Sequence, residues 1–307
     1  MIDKIKTLCS RCKTYKLSST AKSILIRSSI LSIPTYVLSA YPIPDSVLQE
    51  ISKLVRDLFW FKGGNGKGIH AVNWSCITDK KSEGGLGHRN LAHAKVSLMA
   101  KNVFKYLNLD NIYWVNIARL KYGRLNFWTD SISGNCSLIF RGICRTTKIL
   151  NQNLWIKNFN PTQTSFLLNP WLFEIPLAFK PTFLIVDIDL NAIGFSELID
   201  NGLWSHSKLV LVFGNLLGSL IPSLCDPDYI SNNFWVWHPQ SSNEKISSVV
   251  SHHLNHNPGL SNEWLGWSKL CKLHVAARVK HFIWLVLHGK ISTSDFLNSI
   301  NIGPETL

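Results

Sequence analysis

The stretch YPIPDSVLQEISKLVRDLFW, residues 41–60, leaves this chain the least freedom. Pro44 and Asp45 suit a first helical turn. Leu48, Ile51, Leu54, Val55, Leu58 and Phe59 then recur every three or four residues, a spacing that shares one face only in an α-helix. So apolar a face must pack on other elements, and the chain is expected to be built largely of packed helices. Upstream, Ser18 or Ser19 can cap a helix carrying Lys22, Leu25, Ile26, Ser29 and Ile30, with Pro34 marking its end. Downstream, the glycines of FKGGNGKGIH (61–70) predict a loop or hairpin tip. A second break, Ser82-Glu83-Gly84-Gly85-Leu86-Gly87, precedes a helical run with Leu91, Leu98, Val103 and Leu107. A shorter helix over 112–121 is expected to close at Gly123.

Beyond about residue 150 prolines and short β-prone runs such as FLIVDIDL (183–190) replace the helical period. Trp264, Trp267, Leu270 and Leu273 then lead into a helix over 275–287 whose apolar positions include Val279, Phe282, Ile283 and Val286. The expected fold is therefore mainly α: a basic helical region over 1–130, a mixed α+β region with short strands over 131–260, and a helical segment over 261–307. The most apolar run, Leu209 to Leu220, is broken by Gly214, Asn215 and Gly218 and falls short of the ~20 residues a membrane span needs, so no membrane partner is expected. MIDKIKTLCS lacks the apolar core of a secretion signal, and the seven cysteines are scattered. Both features predict an intracellular protein, of nucleus or cytoplasm, with free thiols.

Charge is unevenly spread. Residues 1–150 carry 23 basic and 8 acidic side chains, a net +15, whereas residues 151–307 carry 9 and 11, a net −2. A basic half predicts contact with a polyanion, and nucleic acid is the obvious one. Lys13, Lys16, Lys22 and Arg27 flank the first helices, while Arg119, Lys121 and Arg124 lie among Trp114, Tyr122 and Trp128. Cations neutralise phosphates and aromatic faces stack on bases, which suits RNA or single strands. A solvated basic face over a tryptophan-rich core is the alternative.

Other constellations are incomplete. Gly63-Gly64-Asn65-Gly66-Lys67-Gly68 lacks both the spacing and the hydroxyl of a phosphate-cradling P-loop, leaving nonspecific phosphate contacts through Lys62 and Lys67. Cys9 and Cys12 have the spacing of half a zinc site, with no second pair nearby. His252 and His256 share a helical face, but a zinc-protease helix needs a Glu after the first His, and His253 stands there. His274, His281 and His288 recur every seven residues and predict a polar stripe. Two-metal polymerase chemistry needs close carboxylates. Asp187 and Asp189 are the nearest approach, Asp226-Pro-Asp228 reads as a turn, and no convincing active site emerges.

Several runs, in order, resemble the part of plant LINE-type (non-LTR) retrotransposon polyproteins that follows the reverse transcriptase palm: KLSSTAKSILIRSSILSIPTYVLSAYPIP, DLFW, HAVNWSCITDKKSEGGLGHRNL and LKYG. LHVAARVKHFIWLVLHGKISTSDFL resembles the opening of the reverse transcriptase zinc-binding domain. The resemblance implies a thumb and connection region over 1–130 and a truncated zinc-binding domain over 261–307. The family's catalytic Asp-Asp turn would lie before Met1 and its zinc ligands beyond Leu307, so neither catalysis nor a zinc cofactor is expected. Lys80 and Ala277 replace family prolines, and Phe166-Leu167-Leu168-Asn169-Pro170-Trp171 replaces Phe-Trp-x-Asp-x-Trp, departures that look like decay.

The expected function is that of a non-catalytic piece of an RNA-directed DNA polymerase polyprotein. It would retain at most nonspecific RNA or DNA binding through Lys16, Lys22, Arg27, Lys62, Lys67, Arg119, Lys121 and Arg124. Under the alternative, the reading frame is a relic without activity whose thumb, lacking its palm, would expose Leu48, Ile51 and Val55. Oligomeric state is not set by the sequence.

Overall fold

The computed structural model describes residues 1–15, 17–62, 68–108, 111–123, 135–180, 194–239, 244–255, 266–291 and 293. Of these, 62% are helical, and the strands among them are short, so the mainly α expectation holds. In chain order the helices α1 (Ile2–Thr14), α2 (Ser19–Leu25), α3 (Ser32–Leu38), α4 (Asp45–Trp60), α5 (Trp74–Thr78), α6 (Leu91–Leu107), α7 (Tyr113–Tyr122) and α8 (Leu138–Leu150) come first. Strand β1 (Leu154–Asn158), helix α9 (Phe195–Leu198), strands β2 (Ile199–Asp200) and β3 (Leu203–Trp204), helix α10 (His206–Leu224) and strand β4 (Phe234–Trp237) follow. Helices α11 (Ile246–Leu254), α12 (Gly266–Lys272) and α13 (Ala277–Leu287) complete the series. FLIVDIDL lies outside the described residues.

These elements gather into two compact units, one made of Met1–Val96 with Ser251–Leu307 and the other of Ser97–Val250. The first unit thus joins N-terminal helices to the C-terminal segment, two stretches that sequence grammar reads separately.

In the first unit, Ser18 caps α2 as expected, its hydroxyl accepting the amide N–H of Ala21 at 3.2 Å. The helix then widens into a π-helical turn, Ile26–Ile30. Pro34 does not end a helix. It lies in the first turn of α3, where a missing N–H leaves no hydrogen bond unmade. Helix α1 packs against α4, burying Ile5 and Cys9 on one side and Leu48, Ile51 and Val55 on the other. The chain itself therefore covers the α4 face that a palm-less thumb was expected to expose. Six buried positions of α4 supply the dominant apolar layer.

The glycine break at 84–87 is a docking platform. Gly84 takes a left-handed φ of 92°, and a Cβ there would meet the Trp267 ring at 2.9 Å. A Cβ on Gly85 would come within 2.0 Å of the Asp79 carbonyl oxygen, so only glycine fits. Both the Trp284 indole N–H (2.7 Å) and His288 Nε2 (2.9 Å) donate to the Gly84 carbonyl. This docking turns α13 differently from its apolar pattern. Val279, Phe282 and Val286 are 40%, 56% and 43% exposed, and Trp284 is the buried anchor. The expected histidine stripe is likewise not a solvated one. His281 stacks on Trp284 and His288 on Trp267, while His274 is exposed.

In the second unit, β1 pairs antiparallel with β4, Leu154 opposite Trp237 and Ile156 opposite Trp235. The side-chain amide of Asn108 extends this ladder, donating to the Trp235 carbonyl and accepting its N–H. Phe159, Phe166, Trp171, Phe195 and Trp204 form an aromatic core, and Trp171 donates its indole N–H to the Phe166 carbonyl at 2.8 Å. Within the segment 166–171, Phe166, Pro170 and Trp171 are buried in this unit and Leu167, Leu168 and Asn169 are half-buried. A smaller cluster joins Tyr106, Val115, Phe140 and Cys144.

Among the described helices, α10 is the one long and apolar enough by length and composition to cross a membrane. Gly214, at φ 77° and ψ 171°, divides it into stretches of 8 and 10 residues, 206–213 and 215–224. At 1.5 Å per residue these reach about 12 and 15 Å, half or less of a ~30 Å hydrocarbon core.

Candidate nucleic-acid interface

Three adjoining hollows open on the first unit. The first, about 490 Å³, lies among the end of α1, the start of α2, the end of α4 and α13; its cations are Lys13, Lys22, Lys62 and Lys290. The second, about 310 Å³, shares His281 with the first and adds Arg27, Lys81 and Lys280. The third, about 530 Å³, shares Ile24 and Arg27 with the second and adds Arg89. Among the described residues, eight lysines and arginines line this series and no Asp or Glu does.

Sequence reasoning identified part of this cluster. Lys62 is exposed at the first hollow, and Arg27 is exposed where the second and third meet. Lys22 is not on a solvated face. It is 6% exposed, and its ammonium donates to the carbonyl of Phe61, one residue past α4. Burial pushes its pKa down, and the Phe61 ring holds Lys22 and Lys13 at 5.8 and 5.4 Å in cation–π contacts. Lys16, Lys67 and Arg124 lie outside the described residues.

Arg119 and Lys121 belong to the second unit, in the last turn of α7. Lys121 is exposed and lies 5.4 Å over the ring of Tyr122, which in turn stacks on Phe140 at 4.0 Å. The structure therefore brings Lys22 and Lys62 to one hollow and Arg27 to its neighbours, with Arg119 and Lys121 grouped separately.

Lys81, Arg89, Lys280 and Lys290 escaped the sequence reading. Lys81 and Arg89 flank the glycine platform and could have been found through it. Lys280 on α13 and Lys290 just past its end lie about 190–210 residues from Lys81 and Arg89 along the chain, and no local pattern signals them.

His88 is 2% exposed, and its Nε2 is 2.9 Å from the hydroxyl of Ser23, a residue that lines the second hollow. Burial first, then the charges of Arg27 and Lys81, lower its pKa to about 4, so it is neutral near pH 7. A Ser–His nucleophile needs a third group to orient the imidazole. The Nδ1 of His88 is buried with no hydrogen-bond partner among the described residues, so none of these orients the imidazole of the Ser23–His88 hydrogen bond.

The remaining candidates separate. Cys9 and Cys12 are buried on α1, where burial raises both thiol pKa values. His252 lies 3.3 Å from the Lys80 ammonium nitrogen. His256, Asp187 and Asp189 lie outside the described residues. Asp228 accepts the amides of Ile230 and Ser231, the turn expected of Asp-Pro-Asp. No three His, Cys, Asp or Glu side chains gather as a metal site among the described residues.

No family model matches the chain. It is similar to the "Putative ribonuclease H protein At1g65750" of Arabidopsis thaliana, 26% identical over 122 residues, covering 40% of this chain and 20% of that protein. It is also similar to the "Uncharacterized mitochondrial protein AtMg00310" of Arabidopsis thaliana, 22% identical over 150 residues, covering 48% of this chain and 97% of that protein. The chain thus spans about a fifth of the first relative and nearly all of the second.

Proposed function

We propose that this chain is transposon-derived and corresponds to the post-palm region of a LINE-type reverse transcriptase polyprotein. In this reading it binds RNA or DNA through the phosphate backbone and does not itself polymerise or cleave it. The observation that carries the reading is the row of hollows lined, among the described residues, by eight cations and no carboxylate. Lysine and arginine without acidic neighbours attract phosphates of any sequence. Two-metal chemistry would need carboxylates at the same surface, and none lines it among the described residues. The ordered motifs supply the family assignment, and similarity to a protein named for ribonuclease H activity supports contact with nucleic acid.

The test is binding of the full chain to single-stranded RNA, single-stranded DNA and duplex at low salt, with Mg²⁺-dependent extension and cleavage assayed in parallel. The reading expects binding to all three without sequence preference and no turnover. Absence of binding, or metal-dependent turnover, contradicts it.

The relic alternative draws on the low identities to its relatives. Against it stand the buried α4 face and the packed Trp171 core, which predict cooperative unfolding.

A further inference from the structure

We infer that the first hollow is a seat for one unpaired nucleotide of a bound strand, with its phosphate at Lys13, Lys62 and Lys290 and its base on Tyr15. This deepens the nucleic-acid reading above and rests on it.

Shape is the first argument. At about 490 Å³ the hollow falls within the roughly 300–1,000 Å³ of cavities that enclose a small organic group. A duplex presents a convex backbone with its bases stacked inside, so it can touch the rim of such a hollow without filling it. A single strand can place a sugar, a phosphate and a splayed base inside.

Chemistry is the second. The lining combines four lysines with Tyr15, Phe59, Trp60 and Phe61. Tyr15 stands just past the end of α1 and is 67% exposed, an aromatic face left open to a planar partner. Lys13 and Lys22 both lie over the Phe61 ring, their ammonium nitrogens 5.4 and 5.8 Å from its centroid. An anion complements the lysines of the lining, which among the described residues holds no acidic side chain.

The neighbouring hollows give an internal contrast. The third has two arginines and no aromatic ring, which suits a phosphate alone. The second has Trp267 and Trp284, but these are 4% and 3% exposed and committed to the Gly84 platform. Cations and an open aromatic face coincide in the first hollow.

The experiment uses the full chain with four probes: a 12-nucleotide oligo-U strand, an abasic strand of equal phosphate count, a blunt duplex of equal length, and free uridine monophosphate. Base stacking of the size seen on protein aromatics predicts that the abasic strand binds about 5- to 150-fold more weakly than oligo-U. Tyr15→Ala should reproduce that loss on oligo-U and leave duplex affinity unchanged, and Tyr15→Phe should restore stacking. Free nucleotide should bind weakly, since one phosphate forgoes the rest of the backbone. Equal affinity for oligo-U and abasic strand, or equal loss on strand and duplex in Tyr15→Ala, overturns the seat while leaving backbone binding intact. Affinity for none of the probes overturns both readings. The abasic comparison needs no variant, so it decides the matter even if a substitution disturbs folding.

Discussion

The indole N–H of Trp284 donates to the carbonyl of Gly84 at 2.7 Å, across 200 residues of chain. His288 shares that acceptor, so its Nε2 carries the proton in this contact. One carbonyl on a glycine turn thus anchors the C-terminal helix to the N-terminal helices within the first unit. The same docking brings Lys280, His281 and Lys290 to the hollows.

Trp284→Phe keeps most of the buried ring and removes the donor. It is expected to cost about 1–2 kcal/mol, read as a lower urea midpoint with an unchanged slope. Gly85→Ala should cost more, since its Cβ would overlap the Asp79 carbonyl oxygen and the turn must move. A Gly85→Ala protein as stable as wild type would contradict the platform geometry.

His88 makes stability depend on pH in a defined window. Its folded pKa of about 4 lies below the ordinary 6.5, so between these values the unfolded chain binds more protons than the folded one. Its contribution is therefore fully present above about pH 6.5 and is lost as pH falls toward about 4, by a few kcal/mol at most. His88→Gln should flatten the stability–pH curve in that window. An unchanged curve would show that His88 is not a neutral buried group.

Ile51 is fully buried on the α4 face. Ile51→Ala is expected to cost about 2–5 kcal/mol, with one cooperative transition in the parent protein. A chain that unfolds without a transition, and is indifferent to Ile51→Ala, would favour the relic alternative.

How far the sequence could be read follows from which contacts are local. The α4 face and the Ser18 cap were legible because their signals lie within one helix. Gly84 and Gly85 were legible as a break but not as a platform, since Trp267, Trp284 and His288 lie about 200 residues downstream. Helix α13 is apolar over most of its circumference, so its period could not choose between the Val279–Phe282–Val286 face and Trp284. The indole hydrogen bond made that choice. Lys22 reads as solvated because nothing near it in sequence announces the Phe61 carbonyl, 39 residues away. The basic half was legible by counting, whereas its focus into hollows required residues 280–290 to fold back.

The most direct test of the central claim is the salt dependence of duplex binding by the full chain. For wild type the logarithm of the affinity should fall against the logarithm of salt concentration with a slope near −3 to −5, as expected for about three to five phosphate contacts. Lys13→Ala, Lys62→Ala and Lys290→Ala combined should make that slope shallower by about 2–3. Lys208→Ala, which removes an ion pair to Asp200 in the other unit, should leave it unchanged. A slope that is flat in wild type, or identical in the triple variant, contradicts a phosphate-binding role for the hollows.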